Sequence, residues 1–294
     1  MKKIVFALAF APLLAGAADP QVVSEKTVSG FAFPESCAYD PAQKVLYVGQ
    51  FGGEKLDPAA KDGNGSIMRV RLDGSVLERK FLPGSGSAVL NKPKGIWVKG
   101  NRLWVTDIDA VWVFDTRTRK GHKLDLPLGF ANDPAVMGDA LYISDNRNDR
   151  LVKVEPADFL NAKNEPKVST VMVQAGISPN GLYPGKGGKL LAVGWQAPGK
   201  PKGIYAIDKA GRIEELSEPL GRLDGLYQLK DGSLLATNWD TGSLFHWSER
   251  GGVTHLARDF KGPADLCVIP GKGSEMTVVV PDLPGGSLRF VKLK

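Results

Sequence analysis

Apolar residues along this chain fall into short runs that Gly, Pro, Asp and Asn interrupt, as at Val45–Val48, Leu103–Val105 and Leu190–Val193. The 3.6-residue spacing that marks an amphipathic helix is nearly absent. Gly and Pro are frequent, with 35 and 20 residues, and they stand between the runs at positions typical of turns. The pattern therefore predicts an all-β protein built from many short strands.

One unit recurs along the chain, in which a polar residue opens a short strand and a second apolar strand follows it. We call the six polar residues the anchors: Glu35, Lys94, Asp133, Asn180, Asp224 and Asp265. Successive anchors are 59, 39, 47, 44 and 41 residues apart. A period in the forties with about four strands in each unit is typical of a β-propeller, so six units predict six blades.

The last unit, residues 264–294, contains only three predicted strands. We expect Val22–Val28 to supply the missing outer strand, because closure of this kind removes free sheet edges. A β-sandwich or an open repeat array does not explain six similar units with a short last one. We therefore predict a single six-bladed β-propeller domain with four-stranded blades over residues 18–294.

Residues 1–17 have the pattern of a secretory signal peptide. Lys2 and Lys3 precede the uncharged apolar stretch Ile4–Leu14, and the small residues Ala15–Ala17 form a cleavage pattern. The stretch is too short to span a bilayer, and no later segment is apolar enough to do so. We expect a cleaved, periplasmic or secreted protein without a membrane span.

The charge distribution gives no support to nucleic-acid binding. The chain has 38 Lys and Arg against 32 Asp and Glu, and the basic residues are scattered rather than gathered on one helix. We expect a monomer whose partner is a small molecule.

Two cysteines, Cys37 and Cys267, stand at equivalent positions in the first and last units. In an oxidising compartment they could form a disulfide, which their neighbouring blades favour. Equal register would instead point both thiols the same way around the ring, which leaves two buried thiols as the alternative.

Five of the six anchors carry carboxylate or amide oxygens, and Asn132 adds a second amide beside Asp133. Carboxylates that converge in a ring repel one another unless a proton or a cation lies among them. An all-oxygen ligand set is typical of a Ca²⁺ site. Two alternatives remain: Asn180-Gly181 and Asp224-Gly225 are ordinary turn dipeptides, and Lys94 could be the counter-ion.

Several of these motifs resemble the SMP-30/gluconolactonase/LRE-like propellers: Glu35 before a strand, the Asn132-Asp133 pair, Ser178–Leu182 and Leu223–Leu226. The resemblance extends over essentially the whole mature chain. It implies one divalent metal ion, Ca²⁺ or alternatively Zn²⁺, Mn²⁺ or Mg²⁺. It also implies the ligands Glu35, Asn180 and Asp224, with Asn132 facing the substrate.

The chain departs from the family pattern at two places. Ser36 and Cys37 follow Glu35, where the family usually has Gly-Pro. Phe130 stands at the position where enzymes of the family often carry a substrate-binding Arg. The resemblance therefore supports the metal more strongly than it supports a sugar lactone as the substrate.

These residues predict a metal-dependent hydrolase that opens a small lactone or ester. A divalent cation polarises a carbonyl and lowers the pKa of a water, and Asp224, or Asp133 across the channel, could accept the proton. We expect Lys94 and Asn132 to orient substrate oxygens. The insertion 51–65 could overhang the channel and control access to it.

The competing hypothesis is a non-catalytic propeller that binds a small ligand or a protein partner, because a fold does not determine a function. Phe130 in place of Arg favours this hypothesis, and Trp195 and Trp239 near the ends of second strands would then contact the ligand. A catalytic histidine is not expected, since all three histidines fall in or beside outer strands: His122, His246 and His255.

Overall fold

The computed structural model describes residues 19–84, 88–161, 163, 165–196 and 198–294. The predicted signal peptide lies outside the described residues. Within them, 24 strands form six antiparallel sheets of four strands each. No helix in these residues is long and apolar enough to cross a membrane. The chain is an all-β, six-bladed propeller, as predicted from the repeat.

The strands follow the order of the repeats. β1 is Val22–Ser29. Blade 1 contains β2 (Pro34–Asp40), β3 (Val45–Gln50), β4 (Ser66–Arg71) and β5 (Val76–Leu82). Blade 2 contains β6 (Pro93–Lys99), β7 (Arg102–Asp107), β8 (Ala110–Asp115) and β9 (Gly121–Asp125). Blade 3 contains β10 (Ala131–Met137), β11 (Ala140–Asp145), β12 (Arg150–Glu155) and β13 (Lys167–Val173).

The second half repeats this arrangement. Blade 4 contains β14 (Pro179–Pro184), β15 (Leu190–Gly194), β16 (Ile204–Ile207) and β17 (Ile213–Glu215). Blade 5 contains β18 (Leu223–Gln228), β19 (Leu234–Asn238), β20 (Ser243–Ser248) and β21 (Gly252–Ala257). Blade 6 contains β22 (Cys267–Pro270), β23 (Met276–Asp282) and β24 (Ser287–Leu293). Two short 3₁₀ turns, Asn146–Asn148 and Lys186–Gly188, lie between strands.

The N-terminal strand closes the ring. β1 pairs antiparallel with β24, so that the sixth sheet has the order β1, β24, β23, β22. This confirms that the N-terminus supplies the outer strand of the last blade. The pairing covers the edge that β24 would otherwise present for aggregation.

The hydrophobic core is divided into clusters at the interfaces between neighbouring blades. Strand β7 illustrates the reason: Leu103 and Val105 pack against blade 1, whereas Trp104 faces the cluster shared with blade 3. A middle strand therefore buries both of its faces, which explains its nearly continuous apolar sequence. Outer strands such as β1 are mostly exposed and correspondingly polar.

A disulfide joins Cys37 in β2 to Cys267 in β22, with their Cα atoms 5.6 Å apart. The argument that equal register opposes a bond is therefore wrong. Innermost strands of adjacent blades lie close enough near the axis for two side chains in the same register to meet. The Cα separation is within the range that a disulfide spans. The bond links the first blade to the last across the point of closure.

Candidate active site

The innermost strand of each of the first five blades is irregular at its anchor. The strand register shifts between Pro34 and Ser36, around Glu35, and between Leu223 and Leu226, around Asp224. Equivalent shifts occur at the anchors of blades 2, 3 and 4. A β-bulge leaves its extra residue out of the ladder and redirects the side chain. The repeated bulge explains why polar residues at these positions point into the channel.

The glycines that follow the anchors are required by packing between blades. A Cβ on Gly181 would lie 2.0 Å from the carbonyl oxygen of Asp224, and one on Gly225 would lie 2.6 Å from the backbone nitrogen of Leu266. Neither glycine has a positive φ. The Asn-Gly and Asp-Gly pairs are therefore not turn dipeptides here, since only Gly lets adjacent innermost strands approach so closely.

Buried hydroxyl groups hold the anchors in place. Ser144 Oγ accepts the backbone N–H of Asp133 at 2.8 Å and donates to the carbonyl of Asn180 at 2.6 Å. Thr237 Oγ1 accepts the N–H of Gly225 at 2.7 Å and donates to the carbonyl of Ala264, in the next blade, at 2.6 Å. Each hydroxyl thus satisfies a backbone group freed by a bulge and fixes the relative height of two anchors.

The anchors open into a cavity of about 380 Å³, which we call the larger cavity. Its walls are Glu35, Phe51, Leu56, Pro58, Lys94, Phe130, Asn132, Asn146, Asn180, Trp195, Asp224, Trp239 and Leu283. All predicted metal ligands and all predicted substrate-binding residues are in this set. An apolar wall with a few convergent polar groups is typical of a small-molecule site.

Asp133 is the exception among the predicted site residues. It lines a smaller cavity of about 170 Å³ with Asp265, farther along the innermost strands. Its Oδ2 accepts the backbone N–H of Leu182 at 2.7 Å. The structure therefore does not place Asp133 beside Asp224 on the wall of the larger cavity.

Two predicted metal ligands carry buried oxygens without a hydrogen-bond partner in the described part of the chain: Glu35 Oε2 and Asn180 Oδ1. Glu35 is 5% exposed and Asn180 is 2% exposed. Asn180 Nδ2 donates to the carbonyl of Leu223 at 3.2 Å, which fixes the amide. A buried, unpaired oxygen is costly, and a bound cation removes that cost.

The predicted metal ligands include few carboxylates. Among the described residues, no three His, Cys, Asp or Glu side chains converge on a common point. The predicted ligands are two carboxylates and an amide, which is an oxygen set suited to a hard cation rather than to Zn²⁺. The residues therefore fit a divalent cation such as Ca²⁺.

Burial raises the pKa values of the channel carboxyl groups. Burial first, and the neighbouring Asp224 second, hold the pKa of Glu35 well above its usual range. Burial raises the pKa of Asp224 to about 7, although a hydrogen bond from Trp239 Nε1 to its Oδ2 at 2.9 Å opposes the shift. Burial also raises the pKa values of Asp133 and Asp265. A positive charge placed beside these carboxyl groups would favour their ionised forms and lower the pKa values again.

Lys94 contributes a buried ammonium group to the same cavity. Its side chain is 1% exposed, and burial lowers its pKa to about 8. Its Nζ donates to the carbonyls of Pro58 at 3.0 Å and Lys92 at 3.4 Å. No carboxylate in the described residues lies within ion-pair distance of this nitrogen.

The insertion 51–65 lies over the larger cavity and is fastened by two lysines. Lys92 Nζ donates to the carbonyl of Phe51 at 3.2 Å and forms an ion pair with Asp62 at 2.8 Å. Lys94 Nζ donates to the carbonyl of Pro58 in the same insertion. The overhang that the sequence predicted is present, and control of access by it remains a prediction.

The sequence analysis did not predict Asn146 as a residue of this cavity, nor the hydrogen bond that Trp239 makes there. Asn146 follows β11, and its Nδ2 donates to the carbonyls of Ser178 at 2.9 Å and Trp195 at 3.0 Å. Trp239, expected only as a ligand contact, packs edge-to-face on Trp195 with centroids 4.8 Å apart and bonds Asp224. Asn146 and Trp239 each follow a second strand, so the strand ends were the available signal.

None of the three histidines lies in the larger cavity. His122 is in β9 and His255 in β21, the outer strands of blades 2 and 5. His246 is in the third strand of blade 5, where it is buried and faces Asp19 at 3.4 Å. A histidine-based catalytic centre is therefore not formed by these elements.

Comparison with protein-family models and with curated proteins finds no match. Among solved structures, a gluconolactonase from Xanthomonas campestris is similar, with 16% identity, a TM-score of 0.66 and alignment over 93% of this chain and 91% of that one. A second structure assigned as a gluconolactonase has 14% identity and a TM-score of 0.64 over 94% of each chain.

A virginiamycin B lyase from Staphylococcus aureus is also similar, with 15% identity and a TM-score of 0.57 over 92% of this chain and 99% of that one. The variant in that structure, in which a histidine is replaced by alanine, is described as catalytically inactive and was solved with quinupristin. These likenesses establish the propeller fold, which is the fold that the resemblance to the gluconolactonases implied.

Proposed function

We propose that this chain is a metal-dependent hydrolase that opens a small lactone or cleaves a small ester. Glu35, Asn180 and Asp224 hold the metal ion in this proposal. The observation that carries it is the pair of buried, unpaired oxygens on Glu35 and Asn180 in one cavity with Asp224. Oxygen ligands of this kind favour Ca²⁺, with Mg²⁺, Mn²⁺ and Zn²⁺ as the alternatives.

Glu35, Asn180 and Asp224 would hold a divalent cation, which would supply polarisation of a carbonyl group and a lowered pKa of a water. Trp239 orients the Asp224 carboxylate through its indole N–H, so Asp224 is the residue positioned to accept a proton from that water. Asn132 and Lys94 present an amide and an ammonium to the substrate oxygens. Asp133 lines the smaller cavity, and we therefore assign the proton to Asp224 alone.

A lyase mechanism that depends on a histidine has less support. The similar lyase is inactivated when one histidine is replaced, whereas the larger cavity of this chain contains no histidine. The resemblance of the anchors to the gluconolactonase ligands therefore favours the hydrolase over the lyase in this proposal.

A non-catalytic binding platform is the second candidate. The observation in its favour is the edge-to-face pair of Trp195 and Trp239 on the cavity wall, with Phe130 in place of the expected Arg. Aromatic walls give affinity without chemistry. This candidate predicts ligand binding that is indifferent to chelators and no turnover of any lactone.

The deciding experiment is the metal content of the dialysed mature protein, compared with Asp224→Ala and with the exposed control Asp139→Ala. We expect about one divalent ion per wild-type and control chain and none in Asp224→Ala. The loaded proteins are then assayed with a panel of lactones and esters, with and without chelator. Absence of metal in every protein, together with no thermal shift on adding cations, would exclude the hydrolase.

Export is part of the proposal. Mass spectrometry of protein from the producing cells is expected to show an N-terminus near Ala18, in the periplasmic or medium fraction. A full-length N-terminus in the cytoplasmic fraction would contradict it.

A further inference from the structure

Two cationic groups lie over one aromatic ring at the wall of the larger cavity. Lys94 Nζ is 4.2 Å from the centroid of the Phe130 ring, and the guanidinium carbon of Arg147 is 4.5 Å from it. Both distances are within the range of a cation–π contact. The backbone of Phe130 is anchored at this wall, because its N–H donates to the buried Asp145 at 2.9 Å.

Neither cation forms a direct ion pair in the described residues, although the nearby carboxyl groups of Glu35 and Asp107 favour the charged form of Lys94. Lys94 bonds only carbonyl oxygens, and an ammonium group has three protons, so one remains for a ligand. Arg147 is exposed, and its guanidinium makes no ion pair or hydrogen bond to the described part of the chain. In the described residues, the guanidinium of Arg147 contacts the ring of Phe130.

A second guanidinium–aromatic pair, formed on the ring of Trp195 in the wall of the same cavity, differs in this respect. Arg222 lies 5.3 Å from the ring of Trp195, but its Nε forms an ion pair with Asp240 at 2.6 Å. Arg222 therefore has its counter-ion, and Arg147 does not. Arg222 therefore serves as a matched control for Arg147.

The charges have a consequence for the substrate. A divalent cation would balance the carboxylates of Glu35 and Asp224, so Lys94 would lose Glu35 as a counter-charge, and Arg147, at the rim beside Phe130, has no ion-pair partner in the described residues. A cavity with uncompensated positive charge raises the local concentration of anions and binds them more tightly.

We propose, on the basis of the proposed function, that the substrate carries a carboxylate or phosphate group and that Arg147, with Lys94, determines this specificity. The reacting carbonyl faces Glu35, Asn180 and Asp224, and the anionic group faces Phe130.

The test measures binding of three stable sugars to the metal-loaded protein by calorimetry. D-glucose is the neutral reference, D-glucuronate carries a carboxylate, and D-glucose 6-phosphate carries a phosphate. We expect at least one anionic sugar to bind about tenfold more tightly than glucose, an effect of the size given by a charge-assisted contact. The preference decreases as salt is raised, because Arg147 is exposed.

Arg147→Gln is expected to remove most of the preference, and Arg222→Gln is the matched control that keeps it. Lys94→Gln tests the contribution of the second cation over the Phe130 ring. Equal affinity for the three sugars, no affinity for any of them, or equal losses in Arg147→Gln and Arg222→Gln would overturn the inference.

Turnover separates this inference from the proposed function. D-glucono-1,5-lactone and its 6-phosphate are assayed with the same variants, and a preference for the phosphorylated lactone that Arg147→Gln abolishes supports both. Selective binding of the anionic sugars with no lactone turnover supports the anion site and refutes the hydrolase. Turnover of neutral and charged lactones at equal kcat/KM supports the hydrolase and refutes the anion site.

Discussion

Replacement of Asp224 by Asn is expected to stabilise the metal-free protein. Asp224 is 6% exposed, and burial raises its pKa to about 7 from 3.8. The folded-state pKa lies above the unfolded-state pKa. Between pH 3.8 and about 7, the folded protein therefore binds more protons than the unfolded chain does. The stability of the metal-free protein therefore decreases as the pH rises from about 4 to about 7. Asn keeps the shape and can still accept the hydrogen bond from Trp239.

The magnitude follows from the shift. Each pKa unit corresponds to about 1.4 kcal/mol, so a shift of about three units corresponds to about 4 kcal/mol in the unfolding free energy of the metal-free protein. Relaxation around a buried charge reduces such values, and we expect a gain of about 2–4 kcal/mol for Asp224→Asn at pH 8. Near pH 4 the carboxyl group is protonated in the folded state and about half protonated in the unfolded state, so most of the difference between the two proteins should have disappeared.

The assay is urea unfolding in the presence of chelator at pH 4 and at pH 8, followed by far-ultraviolet circular dichroism. Asp139→Asn is the control, because it removes the same charge from an exposed residue without a side-chain hydrogen bond among the described residues. Saturating metal should make the wild type more stable than Asp224→Asn, since only the wild type gains binding energy. If Asp224→Asn gains no stability over wild type between pH 4 and pH 8, the electrostatic account of the site is wrong.

Three further predictions concern the scaffold. Gly225→Ala should cost about 1–3 kcal/mol in unfolding free energy, since its Cβ would lie 2.6 Å from a backbone nitrogen of the next blade. Exposed Gly251→Ala should cost less in urea unfolding, since its Cβ would meet the rotatable Ser248 side chain, at 2.8 Å, rather than backbone. Replacing Cys37 and Cys267 by Ser should cost about 2–5 kcal/mol, because the bond spans 230 residues, and an unchanged urea midpoint would contradict this. Trp239→Phe removes the indole donor, and calorimetry should show metal affinity reduced about fivefold or more at unchanged fold.

The fold could be predicted from the sequence because its determinants are local and repeated. Each blade shows the same order of polar anchor, apolar strand and turn, and the short last unit indicates the closure by β1. The register of the anchors follows from the same repeat, and it identified four residues that line the larger cavity: Glu35, Lys94, Asn180 and Asp224.

The tertiary structure alone decided which anchors share a cavity. Asp133 and Asp224 are equivalent in the repeat, yet they line different cavities, because each bulge and the packing of the next blade determine the direction of the side chain. The disulfide between Cys37 and Cys267 likewise depends on how closely the innermost strands converge at the axis.

The loops were the least predictable part of the site. Asn146 and Arg147 lie in a short 3₁₀ turn that has no counterpart in the repeat, and Phe130 looked like the loss of a contact. Only the folded chain shows that this ring carries two cations. A periodic pattern specifies strands and their register, whereas contacts between irregular segments depend on the closure of the whole ring.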